Sequence, residues 1–306
     1  MNILHMKYAV EIAKAGPINK ASEALLVAQP NLSRSVKELE ADLGITIFER
    51  SAHGMNLTHD GEEFIGYAKS ILRRIDEVEA IYKSNAHRTQ TFSISVPRAS
   101  YICDAFSHFT KSIGKEPIEI FYKETNSQRA INNILYKGYK LGILRYASNY
   151  DKYFKEMLEE KGLRYELITE FKYVLAMSEK HDLAEREDIL YSDLSEYIEI
   201  AHADPFVPSL PLAEVKKEEF PDNTDRRIFV FERASQFELL SENPETFMWV
   251  SPMPEDLLKR YGLVQKNSSD NHKVYKDVLI YRKDYSLSDL DRRFITELCM
   301  SKRKYI

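Results

Sequence analysis

Cysteine is scarce in this chain, which excludes the classes of protein that depend on clusters of it. The 306 residues include two cysteines, Cys103 and Cys299, which lie far apart and form no CxxC or metal-ligand spacing. We interpret them as two free thiols in a reducing cytoplasm, with a redox-sensing disulfide as the alternative. The spacing predicts neither a zinc site nor a fold held together by disulfides.

Glycine and proline are also few, at 10 and 11 residues, while hydrophobic residues make up 43% and charged residues 30% of the chain. This composition excludes long disordered stretches. No apolar run approaches the roughly 18 residues that cross a bilayer. The first residues carry Glu11 and lack a small-residue cleavage site, so we expect no secretory signal and place the protein in the cytoplasm.

Catalytic motifs are lacking as well. The sequence contains no GxSxG, no HExxH, no Walker A motif and no GxGxxG after a predicted strand. His181 and Asp182 are adjacent, and adjacent side chains on a strand face opposite ways, so they form no dyad. We therefore expect no enzyme, no cofactor and no metal site.

The net charge does not indicate a nucleic-acid-binding protein. The formal net charge is −5, and residues 1–90 hold 11 Lys and Arg against 12 Asp and Glu, which gives −1. Because phosphate neutralisation is local, a function in DNA binding must rest on where the cations sit.

The N-terminal segment predicts a helix-turn-helix. Gly16-Pro17 ends a first helix, Asn19 is a candidate N-cap for a second, and Gln29-Pro30 begins a third, which Gly44 ends. Spacings of 4, 3 and 4 predict a buried stripe on the third helix: Leu32, Val36, Leu39 and Leu43. Polar side chains occupy the other faces: Asn31, Ser33, Arg34, Lys37 and Glu38. Arginine suits guanine, asparagine and glutamine suit adenine, and the helix N-terminus near Gln29 suits phosphate. The alternative is a plain three-helix bundle whose polar face is simply solvated.

Residues 45–58 predict a β-hairpin, a wing that would place Arg50 and His53 beside the DNA backbone. Thr58 is the candidate N-cap of a long helix. Apolar residues along that helix recur at spacings of 4 and 3 in the order Phe64, Ala68, Ile71, Ile75, Val78 and Tyr82. We interpret this seam as a dimerisation surface, with packing on the same domain as the alternative.

These residues resemble the LysR-type transcriptional regulators. The resemblance is carried, in order and spacing, by Gln29-Pro30, Leu32-Ser33-Arg34, Leu39-Glu40, Leu43-Gly44, Phe48, Arg50, Leu57-Thr58 and Gly61. It implies a winged helix-turn-helix and a set of DNA-contacting positions: Asn19, Lys20, Gln29, Pro30, Asn31, Ser33, Arg34, Lys37, Arg50, His53 and Thr58. Asn19-Lys20, Asn31, His53 and Asp60 depart from the family's usual residues, which bears on the DNA sequence that is bound.

The remaining two thirds alternate strands and helices, as in a parallel α/β fold. The resemblance implies a two-lobed region, like the periplasmic binding proteins, that binds an effector in its cleft. We expect a DNA-binding domain at 1–58, a dimerisation helix and hinge at 59–90, and an effector region at 91–306, with lobe I at about 91–167 plus 271–306 and lobe II at about 168–270.

Ligands of such folds lie at the carboxyl ends of strands. That rule nominates Arg98, Ser100, Tyr101, Thr125, Asn126, Ser127, Arg145, His202, Arg233 and Ser235 as effector-binding residues, with Tyr146 and Phe206 as further aromatic candidates. Ser100 and Thr125 could equally cap helices. Three arginines in this set favour an anionic effector such as a carboxylate. The resemblance further implies dimers and dimers of dimers on palindromic double-stranded DNA. The alternative function is a winged-helix protein whose lobes serve assembly or bind a protein partner without a small ligand.

Overall fold

A computed structural model describes residues 2–51, 54–83, 89–204 and 226–306. The chain divides into two compact units, Met1–Thr89 with Leu135–Gly138, and Gln90–Ile134 with Tyr139–Ile306. Within the described ranges, no helix has both the length and the apolar character that crossing a membrane requires.

The N-terminal unit is helical with one hairpin. Its elements are α1 (Ile3–Ala15), α2 (Ile18–Leu25), α3 (Gln29–Leu43), β1 (Phe48–Ser51), β2 (Gly54–Leu57) and α4 (His59–Lys83). The strands β1 and β2 pair antiparallel, from Phe48 opposite Leu57 to Ser51 opposite Gly54. The predicted three helices, wing and long helix are therefore present in this order.

Helix boundaries in this unit follow residues that tolerate unusual backbone angles. Gly16 ends α1 at φ 75° and Gly44 ends α3 at φ 70°, as their positions predicted. The predicted N-cap of α2 was wrong, because Pro17 occupies that position and Asn19 lies inside the first turn. Proline suits the start of a helix since its missing N–H would be unsatisfied there anyway.

The core of the unit is formed by one face of each helix. On α3 the predicted stripe is confirmed for Leu32, Val36 and Leu39, which are buried, while Leu43 is half-buried. These side chains pack in one cluster with Ile47 at the entrance of the wing and Ile65 on α4. Burial of this stripe fixes which face of α3 is left to solvent.

The second unit contains two five-stranded sheets. The first has the order β4-β3-β5-β12-β6 and the second the order β11-β7-β10-β8-β9. The strands are β3 (Gln90–Val96), β4 (Ile118–Glu124), β5 (Leu141–Ala147), β6 (Leu163–Lys172), β7 (Val174–Ser178), β8 (Ile198–His202), β9 (Arg227–Val230), β10 (Thr246–Val250), β11 (Leu263–Lys266) and β12 (Val274–Arg282).

Helices cover these sheets. They are α5 (Ser100–Lys111), α6 (Ser127–Tyr136), α7 (Asp151–Glu160), α8 (Arg233–Glu242), α9 (Glu255–Tyr261) and α10 (Asp289–Tyr305). The first sheet shares a core with α5 and α10 that includes Phe92, Phe109 and Phe294. The sequence did not predict α7, whose buried face consists of Phe154 and Leu158.

The chain passes between the sheets twice. The predicted boundary at about residue 168 cuts β6, which stays in the first sheet to Lys172 because it pairs with β12 along its length. The chain therefore enters the second sheet at β7 and returns between β11 and β12. Strand β3 is parallel to both β4 and β5, so these three strands end at one edge of the first sheet.

Candidate functional site

The solvent face of α3 carries the polar side chains that its sequence predicted. Gln29, Pro30 and Asn31 are exposed in its first turn, and Arg34 and Lys37 are exposed further along. The Arg34 side chain is 81% exposed, and its Nε lies 3.5 Å from a Glu38 carboxylate oxygen one turn away. We call this surface the recognition face. Its guanidinium, ammonium and amide groups are the donors that contact bases and phosphates in DNA complexes.

Four predicted residues from two helices meet in one hollow. Asn19 on α2 and Gln29, Ser33 and Lys37 on α3 line a depression of about 450 Å³ that also reaches the wing. Lys20 is exposed beside Asn19 on α2. The structure thus brings the predicted residues of α2 and α3 to one side of the unit.

Glu40 is a structural residue of this hollow that the sequence argument missed. One of its carboxylate oxygens accepts hydrogen bonds from the backbone N–H groups of Ile47 and Phe48, at 2.7 and 3.1 Å. The contact ties α3 to the start of the wing. Its sequence signal was the acid that follows Leu39, which the resemblance included without a role.

The wing residues are only partly described. Arg50 lies in β1 with its backbone opposite Met55 of β2, whereas His53 lies outside the described residues. Their contact with DNA stays a prediction.

Thr58 holds the wing to α4 instead of presenting its hydroxyl to DNA. Its Oγ1 accepts a hydrogen bond from the Gly61 N–H at 2.9 Å and donates to the Thr46 carbonyl at 2.6 Å. The predicted N-cap is confirmed, and the expectation of a DNA contact is corrected because the hydroxyl proton is already used. Only glycine fits at position 61, since a Cβ there would lie 2.1 Å from the Ile47 carbonyl oxygen.

The residues of the predicted α4 seam differ in burial along the helix. Ala68 is buried, and Phe64 and Ile75 are half-buried, with Phe64 packed on the core of its own unit. Ile71 and Val78 are exposed, at 39% and 53%. Tyr82 lies in the last turn of α4. The apolar surface available to a second copy therefore lies beyond Ala68.

A cavity of about 340 Å³ lies in the second unit, between the two sheets. Six predicted effector residues line it at the carboxyl ends of strands: Arg98, Thr125, Asn126, Ser127, Arg145 and His202. The topology explains this, since β3, β4 and β5 end together at one edge of the first sheet. We call this cavity the cleft.

The other four predicted effector residues do not line the cleft. Tyr101 is fully buried in the first core, and its hydroxyl donates to Asp277 at 2.6 Å. Burial, and then the charge of Asp277, raise the pKa of Tyr101 well above its usual value. Ser100 accepts a hydrogen bond from Arg233 at 3.0 Å, and Ser235 is exposed on α8.

Arg145 is held by Asp277, which the sequence argument missed. The antiparallel register of β5 and β12 places the two residues opposite each other. Arg145 donates through Nε and Nη2 to the two carboxylate oxygens at 2.8 and 2.6 Å, and its guanidinium lies 4.6 Å from the Phe171 ring centre. Burial lowers the pKa of Arg145, but the adjacent carboxylate outweighs it and raises that pKa overall. Asp277 is 0% exposed, so the pair is a buried ion pair.

Arg98 joins the two sheets through Asp204. Its Nη1 lies 2.7 Å from one Asp204 oxygen and its Nη2 donates to the Phe231 carbonyl at 2.9 Å. Arg129 binds the other Asp204 oxygen at 3.0 Å, and the Asn126 amide donates to the Asp204 carbonyl. A residue at the end of β8 is thereby fixed by three side chains from the first sheet and its helix.

Arg233 is paired as well, with Glu124 at 3.6 Å. All three arginines that suggested an anionic effector thus bind carboxylates of the same chain. This corrects the expectation that they are available to a ligand.

His202 and Glu199 place two further titratable groups at the cleft, both on β8. Burial, and then the nearby Arg98, lower the pKa of His202 to about 4, so the imidazole is neutral at pH 7. Glu199 is buried and accepts a hydrogen bond from Arg227 at 2.8 Å. Burial raises the pKa of Glu199. The sequence pattern predicted His202 as an effector-binding residue but not Glu199.

Aromatic side chains form much of the remaining lining: Tyr146, Tyr173, Tyr191, Trp249 and Tyr275. Of these the sequence nominated Tyr146, and the predicted Phe206 lies outside the described residues. The other four come from β10, from the link between β6 and β7, from a 3-10 turn between β7 and β8, and from β12. The sequence did not predict their role, because only the folded topology brings these segments together.

Comparison with known proteins supports both halves of this description. Residues 3–62 match the family model described as bacterial regulatory helix-turn-helix protein, lysR family. The uncharacterized regulator YcgK of Bacillus subtilis (strain 168) is 46% identical over 78 residues, which is 26% of this chain and 24% of that protein. The regulator AlsR of the same organism is 23% identical over 93% of this chain and 91% of its own.

Solved structures show the same fold at low identity. ArgP from Mycobacterium tuberculosis has a TM-score of 0.61 at 14% identity, and the match covers 97% of this chain and 96% of that one. Full-length CbnR in complex with its target DNA has a TM-score of 0.57 at 18% identity and covers 98% and 100%. Residues 3–62, which hold the recognition face and the wing, are thus similar to the helix-turn-helix domain of the lysR family, and the chain as a whole shares the fold of ArgP and CbnR.

Proposed function

We propose that this chain regulates transcription as a symmetric assembly whose affinity or placement on DNA is set by a small molecule bound in the cleft. The observation that carries the proposal is the cleft itself, a cavity of about 340 Å³ lined by residues of both sheets. A ligand that touches both sheets binds differently when they move relative to each other, and such differential binding is what couples a ligand to a conformational change.

Dimerisation through α4 supports the same proposal. Ile71 and Val78 leave apolar surface exposed on a long helix, which a second copy of that helix would bury. A twofold axis there would present two recognition faces to a palindromic site with half-sites about one helical turn apart. Association of two such dimers through the α/β units would span two sites, so that a ligand would act by changing DNA bending. Such a regulator acts where the chromosome is, in the cytoplasm.

We propose no catalytic role for the chain. No group of three or more His, Cys, Asp or Glu side chains among them could hold a metal ion. The relatives that match the chain are named as transcriptional regulators.

The test combines DNA selection with ligand screening. DNA bound by the full chain is selected from random sequence, with and without a low-molecular-weight cell extract. We expect a palindromic consensus and a footprint that the extract alters. Thermal unfolding against metabolites should show stabilisation by at least one compound, because a ligand that binds the folded state raises its stability. A consensus with no response to any compound would favour lobes that serve assembly or a protein partner.

A further inference from the structure

The cleft is walled by aromatic side chains from both sheets. On the side of the first sheet, Tyr173 and Tyr275 have ring centres 4.3 Å apart and pack against Ala147 and Phe171. On the side of the second sheet, Tyr191 meets Trp249 edge to face, with ring centres 5.7 Å apart. Tyr173, Tyr191 and Trp249 are half-buried, and all three line the cleft. Aromatic rings that face a cavity from two sides bind another ring by stacking or edge contacts.

The volume of the cleft limits the ligand. About 340 Å³ lies at the lower end of the roughly 300 to 1,000 Å³ that small-molecule sites occupy. A compound of one or two rings fits such a space.

The charges of the cleft disfavour a carboxylate at its guanidinium groups. Arg145 is occupied by Asp277 through two hydrogen bonds, and Arg98 is occupied by Asp204. A ligand carboxylate at either arginine would lie within a few ångströms of the carboxylate already there, and like charges at that distance repel. Glu199 also lines the cleft but is paired with Arg227 at 2.8 Å, and Lys273 adds a cation to the lining.

We infer that the effector is an uncharged aromatic compound of one or two rings, bound between the Tyr173–Tyr275 and Tyr191–Trp249 pairs. This inference rests on the proposed function. Recognition comes from ring contacts at both sheets, so an occupied cleft links the sheets through the ligand. A carboxylate substituent on the same ring lowers the affinity.

The chain offers its own probe for this inference. Trp249 is the one tryptophan in the 306 residues, and it lines the cleft. Its fluorescence therefore reports on the cleft without a label. Benzamide and benzoate are matched ligands, since they share ring and shape and differ in charge. As fragments they should bind with dissociation constants on the order of millimolar.

The experiment titrates the full chain with each compound while Trp249 emission is followed. We expect benzamide to change the emission with at least about tenfold higher affinity than benzoate. The variant Tyr191→Leu should weaken benzamide binding about tenfold, because it removes a ring from the wall. Tyr153→Leu is the matched control, since Tyr153 is an exposed tyrosine of α7 outside the cleft lining. The Tyr153→Leu variant should bind benzamide with the same affinity as the unmodified chain.

A charge variant sharpens the test. Asp204→Asn removes the carboxylate that occupies Arg98, so benzoate should gain affinity relative to benzamide by about tenfold. An unchanged ratio would show that Arg98 and Asp204 do not set the preference, and would overturn the electrostatic part of the inference.

Other outcomes separate this inference from the proposed function. Tighter binding of benzoate, lost in Lys273→Met, would identify Lys273 on the cleft wall as an anion receptor and overturn the inference. Response to an aliphatic metabolite but to no aromatic fragment would also overturn it, while the proposed function stands. Absence of any response, to fragments and to cell extract alike, would overturn both the inference and the proposed function.

Discussion

Arg34 in the N-terminal unit and Arg145 in the α/β unit have opposite environments. The Arg34 side chain is 81% exposed and faces Glu38 on its own helix at 3.5 Å. The Arg145 side chain is 9% exposed and holds Asp277, a residue 132 positions away, through two hydrogen bonds. Both are arginines in regular structure, and the sequence nominated both for ligand contact.

These two environments decide which arginine is available to a ligand. An exposed pair one helical turn apart is weak, so a base edge or phosphate can replace Glu38 at little cost. A buried pair has already lost its hydration, and removing one partner leaves an uncompensated charge in the interior. Arg34 is therefore available for recognition, whereas Arg145 maintains the cleft.

Loss of Asp277 should have the largest effect on stability. Asp277→Asn leaves Arg145 buried without a counter-charge, and we expect the α/β unit to lose about 3–5 kcal/mol of unfolding free energy. Urea unfolding followed through Trp249 fluorescence measures this unit directly, since Trp249 lies in β10.

The double variant Asp277→Leu with Arg145→Met is the control for that prediction. Removing both charges should restore a large part of the lost stability, because an apolar pair of similar volume avoids the desolvation cost. A double variant as unstable as Asp277→Asn would mean that packing around β12 or the lost acceptor of the Tyr101 hydroxyl, and not the ion pair, accounts for the loss.

His202 makes the stability of the α/β unit depend on pH. Its pKa is lowered to about 4 by burial and then by Arg98, with a further lowering by Arg233 and an opposing effect of Asp204. The unfolded chain takes up a proton near the usual pKa of 6.5, which the folded chain takes up only near 4. Stability from this group is thus complete above about pH 6.5 and is lost as the pH falls to about 4.

The size of that loss follows from the difference in pKa, about 3 kcal/mol across the window. Unfolding free energies between pH 7 and pH 4 test it, with His202→Gln as the comparison. The slope of stability against pH should be smaller in the variant. Equal slopes in both proteins would show that other groups, such as Glu199, set the pH dependence.

Replacing Arg34 should affect DNA binding and leave stability nearly unchanged. Arg34→Ala should weaken binding to the selected site by about 1–3 kcal/mol, with relaxed specificity at one base pair. Its unfolding free energy should stay within about 0.5 kcal/mol of the unmodified chain, as for other surface changes. Uniform weakening on every DNA sequence would reduce Arg34 to a phosphate contact.

The sequence predicted what local periodicity controls. The buried stripe of α3 was visible because Leu32, Val36 and Leu39 alternate with polar residues over two turns. The recognition face is the side of α3 that this buried stripe leaves to solvent. α7 escaped prediction since its buried face consists of two residues, Phe154 and Leu158, which is too short a pattern to distinguish from a loop.

The sequence could not predict pairings that arise from strand order. Topology alone placed Arg98, Thr125 and His202 at one cavity, because parallel strands end at the same edge. The contact of Arg145 with Asp277 depends on β12 returning beside β5 in a particular register, and no local pattern encodes that return. An acid inside an apolar strand was the available signal, since buried carboxylates require a partner.

Thr58 carries the smallest predicted effect, and it separates a structural hydroxyl from a DNA contact. Thr58→Ala removes the N-cap of α4 and the bond to Thr46, and should cost about 1 kcal/mol of unfolding free energy in the N-terminal unit. Thr58→Ser keeps the hydroxyl and should recover most of it. DNA affinity of the folded Ala variant should fall with salt at the same slope as before, because no phosphate contact is lost. A slope reduced by about one would show that the Thr58 hydroxyl also binds the backbone of DNA, and that the N-terminal unit uses one side chain for both purposes.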